Sequence, residues 1–256
     1  MVKKKQTDNL VQSLLRAIDI LNLVSQSKEG LNVTQISEAL NLHKSTVYRL
    51  LNTLQYKNYV KKDKYKNYKT GKKIIELGNK ALNDIDLRNE AKPYLMELGN
   101  ITKETVHLGI IEDYEIVYID KVESSHTIRM HSSIGKGNPL YCTGVGKALL
   151  AFSSDKYIED FIKNNELKRF TPNTITEKSE LRDHLKKIQK QGYAVDNMEH
   201  EDNIRCVATP IFDHKKNVIA AISISGPVQR ITLEKVKEYA ELAIEFSQKI
   251  SRSLFI

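Results

Sequence analysis

The segment HKSTVYRLLNTLQYKNYV, residues 43–60, contains polar side chains that can form hydrogen bonds, and it also carries a regular apolar stripe. The stripe recurs at i, i+3, i+4 and i+7, the spacing of one face of an α-helix: Val47, Leu50, Leu51 and Leu54. Ser45, Arg49 and Asn52 point the opposite way. A polar helix face is most often only solvated, so the neighbouring elements must decide whether this one recognises another molecule.

Ser223 and Ser225 are two residues apart on an otherwise apolar predicted strand, so their hydroxyls share one face. Hydroxyls that face a core need hydrogen-bond partners, which a bound ligand can supply. The segment TGVGKALL, residues 143–150, places two glycines just before a predicted helix, whose free N–H groups form a natural seat for a carboxylate. It is not a Walker loop, because Tyr141 and Ala148 occupy the positions of its first glycine and its serine or threonine.

Four residues have side chains of zinc-binding type: Cys142, Asp196, His200 and Cys206. Their spacing contains neither C-x-x-C nor H-x-x-x-H, so the metal signal is weak and neither a metal nor a cofactor is expected. The sequence also lacks the enzyme motifs G-x-S-x-G and H-E-x-x-H. A hydrolase remains the alternative from another class, and turnover of an acid ligand would distinguish it from a pure sensor.

The composition of the 256 residues, 40% hydrophobic and 28% charged, favours a soluble globular protein with two domains. No apolar run is long enough for a membrane span or a secretory signal. The two cysteines give no disulfide framework and fit a reducing compartment. We therefore expect a cytoplasmic protein with no membrane partner.

Positive charge is concentrated in the first third of the chain. Residues 1–80 contain sixteen Lys and Arg against six Asp and Glu, whereas the remaining residues carry 24 and 26. The net charge of +8 therefore arises from the N-terminal region. This asymmetry indicates a polyanion-binding module joined to a nearly neutral domain with another role, with a merely lysine-rich surface as the alternative.

Apolar periodicity predicts two helices before the segment described first. The first runs from about Asn9 to Ser25. Its apolar residues form one stripe: Leu10, Leu14, Ile18 and Leu21. The second helix is short, with Thr34 as its expected N-cap. Its inward-facing residues are Val33, Ile36 and Leu40.

A short turn, NLH, joins the second helix to the third, which begins at Ser45 or a neighbour, and Asn41 tolerates a left-handed backbone there. Two helices joined in this way form a helix-turn-helix, in which the first braces the second against DNA. The following YVKKDKYKNYKTG predicts a β-hairpin with its corner at Asp63 and Lys64, a basic wing. Such a wing gains affinity by releasing counterions from the duplex, while the helix face reads the bases.

Several segments resemble, in order and spacing, the IclR family of bacterial transcriptional regulators. In the first third these are VQSLLRAIDIL, LNVTQISEALNLHKSTVYRLLNTLQYKNYV and YKTGKKIIELG. The resemblance continues through DLRNEAKPYLMELGNITKETVHLGI, YCTGVGKALLAF, RFTPNTIT, QGYAVDNMEHEDNIRCVATPIFD and AAISISGP. Departures are Asn41 and His43, where the family more often has glycine and proline, and Val145, where alanine is common. Valine in place of alanine at position 145 would narrow a small pocket.

The residues of the second part predict strands and helices in alternation. Strand candidates are TVHLGII and IVYIDKV, joined by the corner EDYE, then TIRMH, YAVD, IRCVATPIF and VIAAISIS. Helices are expected from about Ile74 to Asp84, Leu87 to Gly99, and near 146–163, 178–191 and 232–252. Together they predict an α+β domain with one largely antiparallel sheet.

The resemblance implies the same architecture: an N-terminal winged helix-turn-helix, mainly α, and a C-terminal α+β sensor domain similar to the GAF and PAS folds. We expect residues 1–73 to bind DNA, 74–86 to form a linker helix and 87–256 to bind an effector. The expected DNA contacts are Lys44, Ser45, Thr46, Tyr48 and Arg49 on the helix, and Lys61, Lys62, Lys64 and Lys66 on the wing. Thr46 and Tyr48 lie on the flanks of the helix, where they would touch phosphates.

The effector residues are carried over from the family by position. They are Gly144, Val145, Asp196, Cys206, Ser223 and Ser225, which match positions that hold a small organic acid in family members. Ile204 and Met130 are weaker candidates for pocket walls. Each has a plain structural alternative, since a glycine can only make a turn and a buried cysteine can act as a small apolar residue.

These features predict a transcriptional regulator that binds an operator in double-stranded DNA and responds to a small carboxylate such as a keto or sugar acid. The resemblance implies a homodimer or homotetramer, and repression of a catabolic operon is commoner in the family than activation. An activator of the same architecture is the alternative. A module that binds protein instead of DNA is a further one, against which the charge asymmetry argues.

Overall fold

The computed structural model of the chain describes residues 10–83, 86–127 and 132–254. The chain divides into two units, Met1–Asp84 and Ile85–Ile256. Within the described ranges, no helix is both long and apolar enough to cross a membrane.

Unit 1 consists of three helices, a two-stranded sheet and a fourth helix. Their bounds are α1 (Gln12–Ser25), α2 (Val33–Leu40), α3 (Lys44–Tyr56), β1 (Val60–Lys62), β2 (Tyr68–Thr70) and α4 (Lys72–Asn83). The strands pair antiparallel, with Lys61 opposite Lys69. This is the predicted winged helix-turn-helix. The sequence QYKNYV, residues 55–60, predicts the turn into the wing, but α3 continues through Tyr56 and only residues 57–59 form that turn.

The core of unit 1 draws on α1, α2, α3 and both strands. Its buried apolar residues are Ile20, Val24, Ile36, Val47, Leu51, Val60 and Tyr68. The predicted stripe of α3 is confirmed, because Val47 and Leu51 are fully buried while Leu50 and Leu54 pack half-buried against the same cluster. This packing leaves the opposite face of α3 free of the core.

The predicted stripe of the first helix was largely wrong. Leu10, Leu14 and Ile18 are exposed, Leu14 by 59% of its surface, and of the predicted set only Leu21 packs against the core. Ile20 and Val24, four residues apart, are buried instead. The helix carries two apolar stripes, and periodicity alone does not show which of them meets the core.

The second helix begins two residues earlier than predicted. Asn32, not Thr34, is the N-cap, and its side-chain oxygen accepts hydrogen bonds from the backbone of Thr34 and Gln35. The Gln35 side chain accepts in return from the Asn32 N–H at 2.9 Å, which completes a capping box. At the other end Asn41 has φ 50°, the left-handed backbone expected of the turn.

Unit 2 consists of a six-stranded antiparallel sheet with helices on both faces, in the part of the chain that the structure describes. The strands are β3 (Thr105–Glu112), β4 (Glu115–Val122), β5 (Gly137–Pro139), β6 (Ala194–Asn197), β7 (Ile204–Phe212) and β8 (Val218–Pro227). The helices are α5 (Asp86–Thr102), α6 (Gly144–Phe152), α7 (Asp155–Asn164), α8 (Lys178–Gln191) and α9 (Lys235–Ser253). The strand order is β5-β4-β3-β8-β7-β6, and the predicted α+β fold is confirmed.

The sheet separates two apolar cores. One contains residues of α6, α7 and α8, and the other contains residues of α5 and α9. Along β8, Ala221 belongs to the first core, whereas Ile222 and Ile224 belong to the second. Because side chains alternate along a strand, Ser223 and Ser225 face the side of α6.

Two details of unit 2 differ from the sequence-based expectation, and a third prediction cannot be compared with the structure. The helix expected near 146–163 is two helices, α6 and α7, and Ser154 caps the second by accepting a hydrogen bond from the Tyr157 N–H. Strand β5 was not predicted. The strand candidate TIRMH, residues 127–131, falls almost wholly outside the described residues.

Candidate functional site

The polar face of α3 is open to solvent in unit 1. Lys44, Ser45, Tyr48 and Arg49 are exposed, and Thr46 is half-buried at the flank. Each lies in the first two turns of the helix, whose apolar side is fixed by Val47. This face therefore presents hydroxyl, ammonium and guanidinium donors together, a set able to bond phosphate oxygens and base edges.

The wing adds exposed positive charge beside this helix. Lys61, Lys62, Lys64 and Lys66 are all exposed. The carboxylate of Asp63 accepts hydrogen bonds from the backbone of Tyr65 and Asn67, so it shapes the corner of the hairpin. The structure thus brings all nine predicted DNA-contact residues into one unit and leaves eight of them exposed.

In unit 2, five predicted effector residues line one small cavity beneath α6. These are Gly144, Val145, Asp196, Cys206 and Ser223. The cavity measures about 10 Å³, and its other walls are Tyr118, Thr143, His200, Glu201 and Ile204. A space of this size holds about one water-sized group. Met130, the other expected wall residue, lies outside the described residues.

The N-terminus of α6 forms the roof of this cavity. Thr143 is its N-cap, and its hydroxyl accepts a hydrogen bond from the Gly146 N–H at 3.1 Å. Gly144 lies so close to the sheet that a Cβ there would stand 3.1 Å from the Cβ of Cys206. The two glycines occupy the first turn of α6 and not the loop before it, where the sequence predicted them. Only a small residue allows the helix to approach the sheet this closely.

His107 on β3 connects the two serines and was missed by the sequence reasoning. Its Nδ1 lies 3.2 Å from the Ser223 hydroxyl and 3.4 Å from the Ser225 hydroxyl, and the two hydroxyls are 3.1 Å apart. The ring stacks on Tyr118 with centroids 4.4 Å apart. Burial lowers the pKa of His107 to about 3, with a further contribution from Lys121, so the ring is neutral. Ser225 therefore lies behind the cavity wall and is hydrogen-bonded to Ser223, which lines the cavity.

A larger cavity of about 360 Å³ adjoins the small one. The two share Tyr118, His200 and Glu201 as walls, and the larger is also lined by polar residues: Ser132, Ser133, Lys136 and Asn138. The Nε2 of His107 lies 2.9 Å from the Ser132 hydroxyl. His107 therefore joins a hydroxyl of the small cavity to a hydroxyl of the large one.

Asp196 lies on β6 directly opposite Cys206 of β7 and is 3% exposed. Its Oδ1 accepts a hydrogen bond of 2.7 Å from the backbone N–H of Glu199. Burial raises the pKa of Asp196 to about 7, against the opposing field of Lys147. The carboxyl group is thus protonated far more readily than an exposed aspartate.

Lys147, the lysine of the glycine segment, is fully buried on α6. Its Nζ donates to Glu199 Oε1 and, at 2.7 Å, to the carbonyl of Val195, and it lies 3.3 Å from Nε2 of His184. The ion pair between Lys147 and Glu199 therefore connects α6 to the turn that follows Asp196. This partnership was not predicted, because no local sequence pattern reveals a partner 52 residues away.

Three of the four side chains of metal-binding type line the small cavity. Cys142 is buried but does not line the small cavity, unlike Asp196, His200 and Cys206. Among the residues that the structure describes, no three His, Cys, Asp or Glu side chains are grouped so that they could hold a metal ion.

Comparison with known proteins places this architecture in a family. A model of the IclR helix-turn-helix domain matches residues 13–64, and a model described as bacterial transcriptional regulator IclR C-terminal matches residues 79–252. The chain belongs to the IclR family. It is a DNA-binding transcriptional regulator and not an enzyme.

Individual IclR relatives match over nearly their whole length. The regulator KdgR of Escherichia coli is 39% identical over 98% of this chain and 95% of its own. The transcriptional repressor IclR of the same organism is 31% identical over 94% of this chain and 89% of its own. The crystal structure of Thermotoga maritima IclR has a TM-score of 0.84 and 40% identity, covering 95% of this chain and 99% of that one.

Proposed function

We propose that this IclR-family regulator represses a catabolic operon and is released from, or held on, its operator by a small organic acid. Residues 1–73 bind double-stranded DNA, 87–256 bind the acid, and 74–86 link the two. One observation carries the sensing role: a helix N-terminus, a buried aspartate and Ser223 surround one small cavity, and His107 links Ser223 to Ser225 behind it. A transcriptional activator of the same architecture is the second candidate.

The DNA interface in this proposal is the exposed face of α3 together with the wing. Ser45 and Arg49 read base edges, and Arg49 suits the acceptor pair of guanine because its guanidinium donates two parallel hydrogen bonds. Lys44, Thr46 and Tyr48 contact phosphates at the flanks. Lys61, Lys62, Lys64 and Lys66 add affinity that does not depend on sequence, because they displace counterions from the duplex.

The effector in this proposal is a small carboxylate, a keto or sugar acid. Its carboxylate lies in the small cavity against the N–H groups of Gly144 and Val145 at the positive end of α6. Asp196, Cys206, Ser223 and Ser225 complete the polar surroundings. The remainder of the acid extends past Tyr118 into the cavity of about 360 Å³, whose polar walls suit keto or hydroxyl groups.

Self-association as a dimer or tetramer completes the proposal. Leu10, just before α1, and Leu14 and Ile18 on α1 are exposed apolar residues that a second copy would cover. A two-fold dimer would present two α3 helices to half-sites about 34 Å apart, or a multiple of this distance. Leu14→Lys should shift the protein toward monomers in analytical ultracentrifugation and weaken operator binding; an unchanged sedimentation profile would exclude this surface.

Two substitutions test the division of labour. Operators are first selected by the full-length protein from a pool of randomised duplexes, and acid binding is measured by thermal shift with glyoxylate, gluconate and benzoate. Arg49→Ala should abolish selective operator binding and leave the acid-induced shift unchanged. Asp196→Ala should weaken the acid-induced shift and leave operator binding intact. Loss of both activities in either folded variant contradicts the proposal.

The sign of regulation needs a separate measurement. A reporter gene behind the selected operator should be transcribed less when the wild-type chain is present, and the active acid should change that level. Arg49→Ala is the matched control because its acid site is intact. Higher transcription with the wild-type chain would identify an activator.

A further inference from the structure

The small cavity lacks the positive charge that a carboxylate ligand normally attracts. Its charged walls in the described part of the chain are Asp196 and Glu201, both acidic, and neither Lys nor Arg lines it. His200 supplies little compensation, because burial lowers its pKa. A carboxylate that entered this space as a simple anion would be repelled by Asp196 in its ionised form.

The nearest lysine does not resolve this conflict. Lys147 directs its ammonium at Glu199, at the Val195 carbonyl and at His184, which uses all three of its N–H donors. Of the ion pairs found among the described residues, none joins Asp196 to a lysine or arginine. Lys147 is therefore a structural cation whose charge is already matched by Glu199.

Geometry forces the ligand carboxylate and Asp196 together. The N-terminus of α6 and the Asp196 side chain are walls of the same cavity, whose volume of about 10 Å³ admits about one water-sized group. An oxygen that reaches the amides of Gly144 and Val145 therefore also lies beside Asp196. Two carboxyl groups in such contact do not both stay ionised, and the stable arrangement holds one proton between them.

We propose that Asp196 carries a proton when the acid effector is bound and donates it in a hydrogen bond to the effector's carboxylate, so that each effector binds together with one proton. The inference rests on the proposed acid-sensing function. The proton comes from solvent, no covalent bond changes, and the bound pair keeps a single negative charge near the positive end of α6.

The surroundings of Asp196 support proton uptake near neutral pH. Burial is the main cause that raises the pKa of this carboxyl to about 7, Lys147 opposes it, and Glu199 adds to it. Further titratable groups face it from the neighbouring elements: Cys142 before α6, Cys206 on β7, Tyr118 on β4, and His200 and Glu201 in the following turn. Burial raises the pKa of both thiols and of the phenol, so these groups are neutral.

Calorimetric titration of the full-length protein with glyoxylate, gluconate and benzoate from pH 6 to pH 8.5 tests the inference. For a group with a pKa near 7 that must be protonated for binding, the apparent Kd should rise about 30-fold over this range, and tenfold per unit at its upper end. Titration in buffers with different ionisation enthalpies should show uptake of nearly one proton per acid at pH 8. The corresponding amides carry no charge and should bind without this pH dependence.

Asp196→Asn provides the decisive variant because its amide donates a hydrogen bond at every pH. It should bind the acid with a Kd that stays near the low-pH value of the wild type throughout the range. Asp202→Asn, an exposed carboxylate in the next turn, is the matched control and should retain the full pH dependence.

The outcomes separate two kinds of failure. Acid binding that does not change with pH, or a folded Asp196→Asn variant that no longer binds, would overturn the proton linkage alone. Failure of every acid to bind at any pH would overturn the proposed acid-sensing function, and this inference with it. Binding of the amide in the wild type checks the site without relying on the folding of a variant.

Discussion

The polar residues of the α3 face lie on consecutive turns of one exposed helix, whereas the walls of the small cavity come from four strands, the N-terminus of one helix and the turn between β6 and β7. On α3, the apolar side supports the fold and the polar side is left for another molecule. Around the cavity, the same residues fold the protein and shape the site. Asp196, for example, accepts a backbone hydrogen bond that orders its own turn.

This difference determines how each site responds to change. An exposed lysine on the wing loses at most a weak contact, such as that of the Lys62 ammonium 5.3 Å from the Tyr68 ring, so its removal should affect binding far more than stability. When one member of a buried polar pair is removed, the other is left with an unsatisfied charge or dipole. Such a substitution should therefore affect stability first. The following substitutions test the contrast from the largest expected effect to the smallest.

Lys147→Met should have the largest effect. It leaves the Glu199 carboxylate buried without its cation, and breaking a buried pair in this way costs about 3–5 kcal/mol in the free energy of unfolding. Urea unfolding of the full chain measures the change. Adding Glu199→Gln should recover part of the loss, while Lys156→Met, at an exposed position, is the control. Wild-type stability in Lys147→Met would mean that the pair is not a structural tie.

His107→Asn should change the pH dependence of stability. The pKa of His107 is about 3 in the folded chain and about 6.5 when unfolded, so its contribution is present above pH 6.5 and lost as pH falls toward the folded value. From pH 6.5 to 4.5 the wild type should lose about 2 kcal/mol through this residue, and the variant should not.

The comparison is best made as a difference between variants, because other groups titrate in the same range. The lowered pKa of His184, about 4, acts in the same direction, and the raised pKa of Asp196 acts in the opposite one. Exposed His126→Asn should follow the wild-type curve. An identical loss in His107→Asn and the wild type would show that this histidine is not buried neutral.

Val145→Ala should produce an intermediate effect that links stability to ligand choice. Removing two buried methyl-sized groups costs about 1.5 kcal/mol. The deletion also enlarges the small cavity, so a bulkier acid such as benzoate should bind better relative to glyoxylate. Leu233→Ala, at a side chain that is 68% exposed, is the stability control. An unchanged ratio of the two affinities would place Val145 outside the ligand's surroundings.

Lys62→Gln should have the smallest effect on stability, within about 1 kcal/mol, because the side chain is exposed on the wing and its contact with the Tyr68 ring is weak. Its effect should appear in DNA binding, where the slope of log affinity against log salt should fall by about 0.9. The loss should be the same for operator and random duplexes. A loss confined to the operator would assign Lys62 to base readout.

The same contrast explains how much could be predicted from the sequence. The face of α3 followed from local spacing, since Val47 and Leu51 are four residues apart and share a helix face. On α1 this reasoning chose the wrong stripe, because Leu14 and Ile18 repeat as regularly as Ile20 and Val24. Only packing against other elements distinguishes them.

The cavity was predictable only in part. Alternation placed Ser223 and Ser225 on one face, and the family resemblance supplied Asp196 and Cys206. His107 could not be predicted, because its meeting with Ser223 depends on the pairing of β3 with β8 across 116 residues. The role of Lys147 could not be predicted for the same reason, because its partner Glu199 is also distant in the sequence. Long-range pairings of this kind are not encoded in spacing.

The alternation of β8 between two cores also limits how such a regulator can evolve. Ser223 and Ser225 face the cavity side, while Ile222 and Ile224 belong to the core of α5 and α9. Gaining or losing one residue within the strand would exchange these sets and damage recognition and folding at once. Exchange of a cavity-facing side chain leaves the other core untouched. A change in ligand preference is therefore more easily reached by point substitution than by a change in the length of this strand.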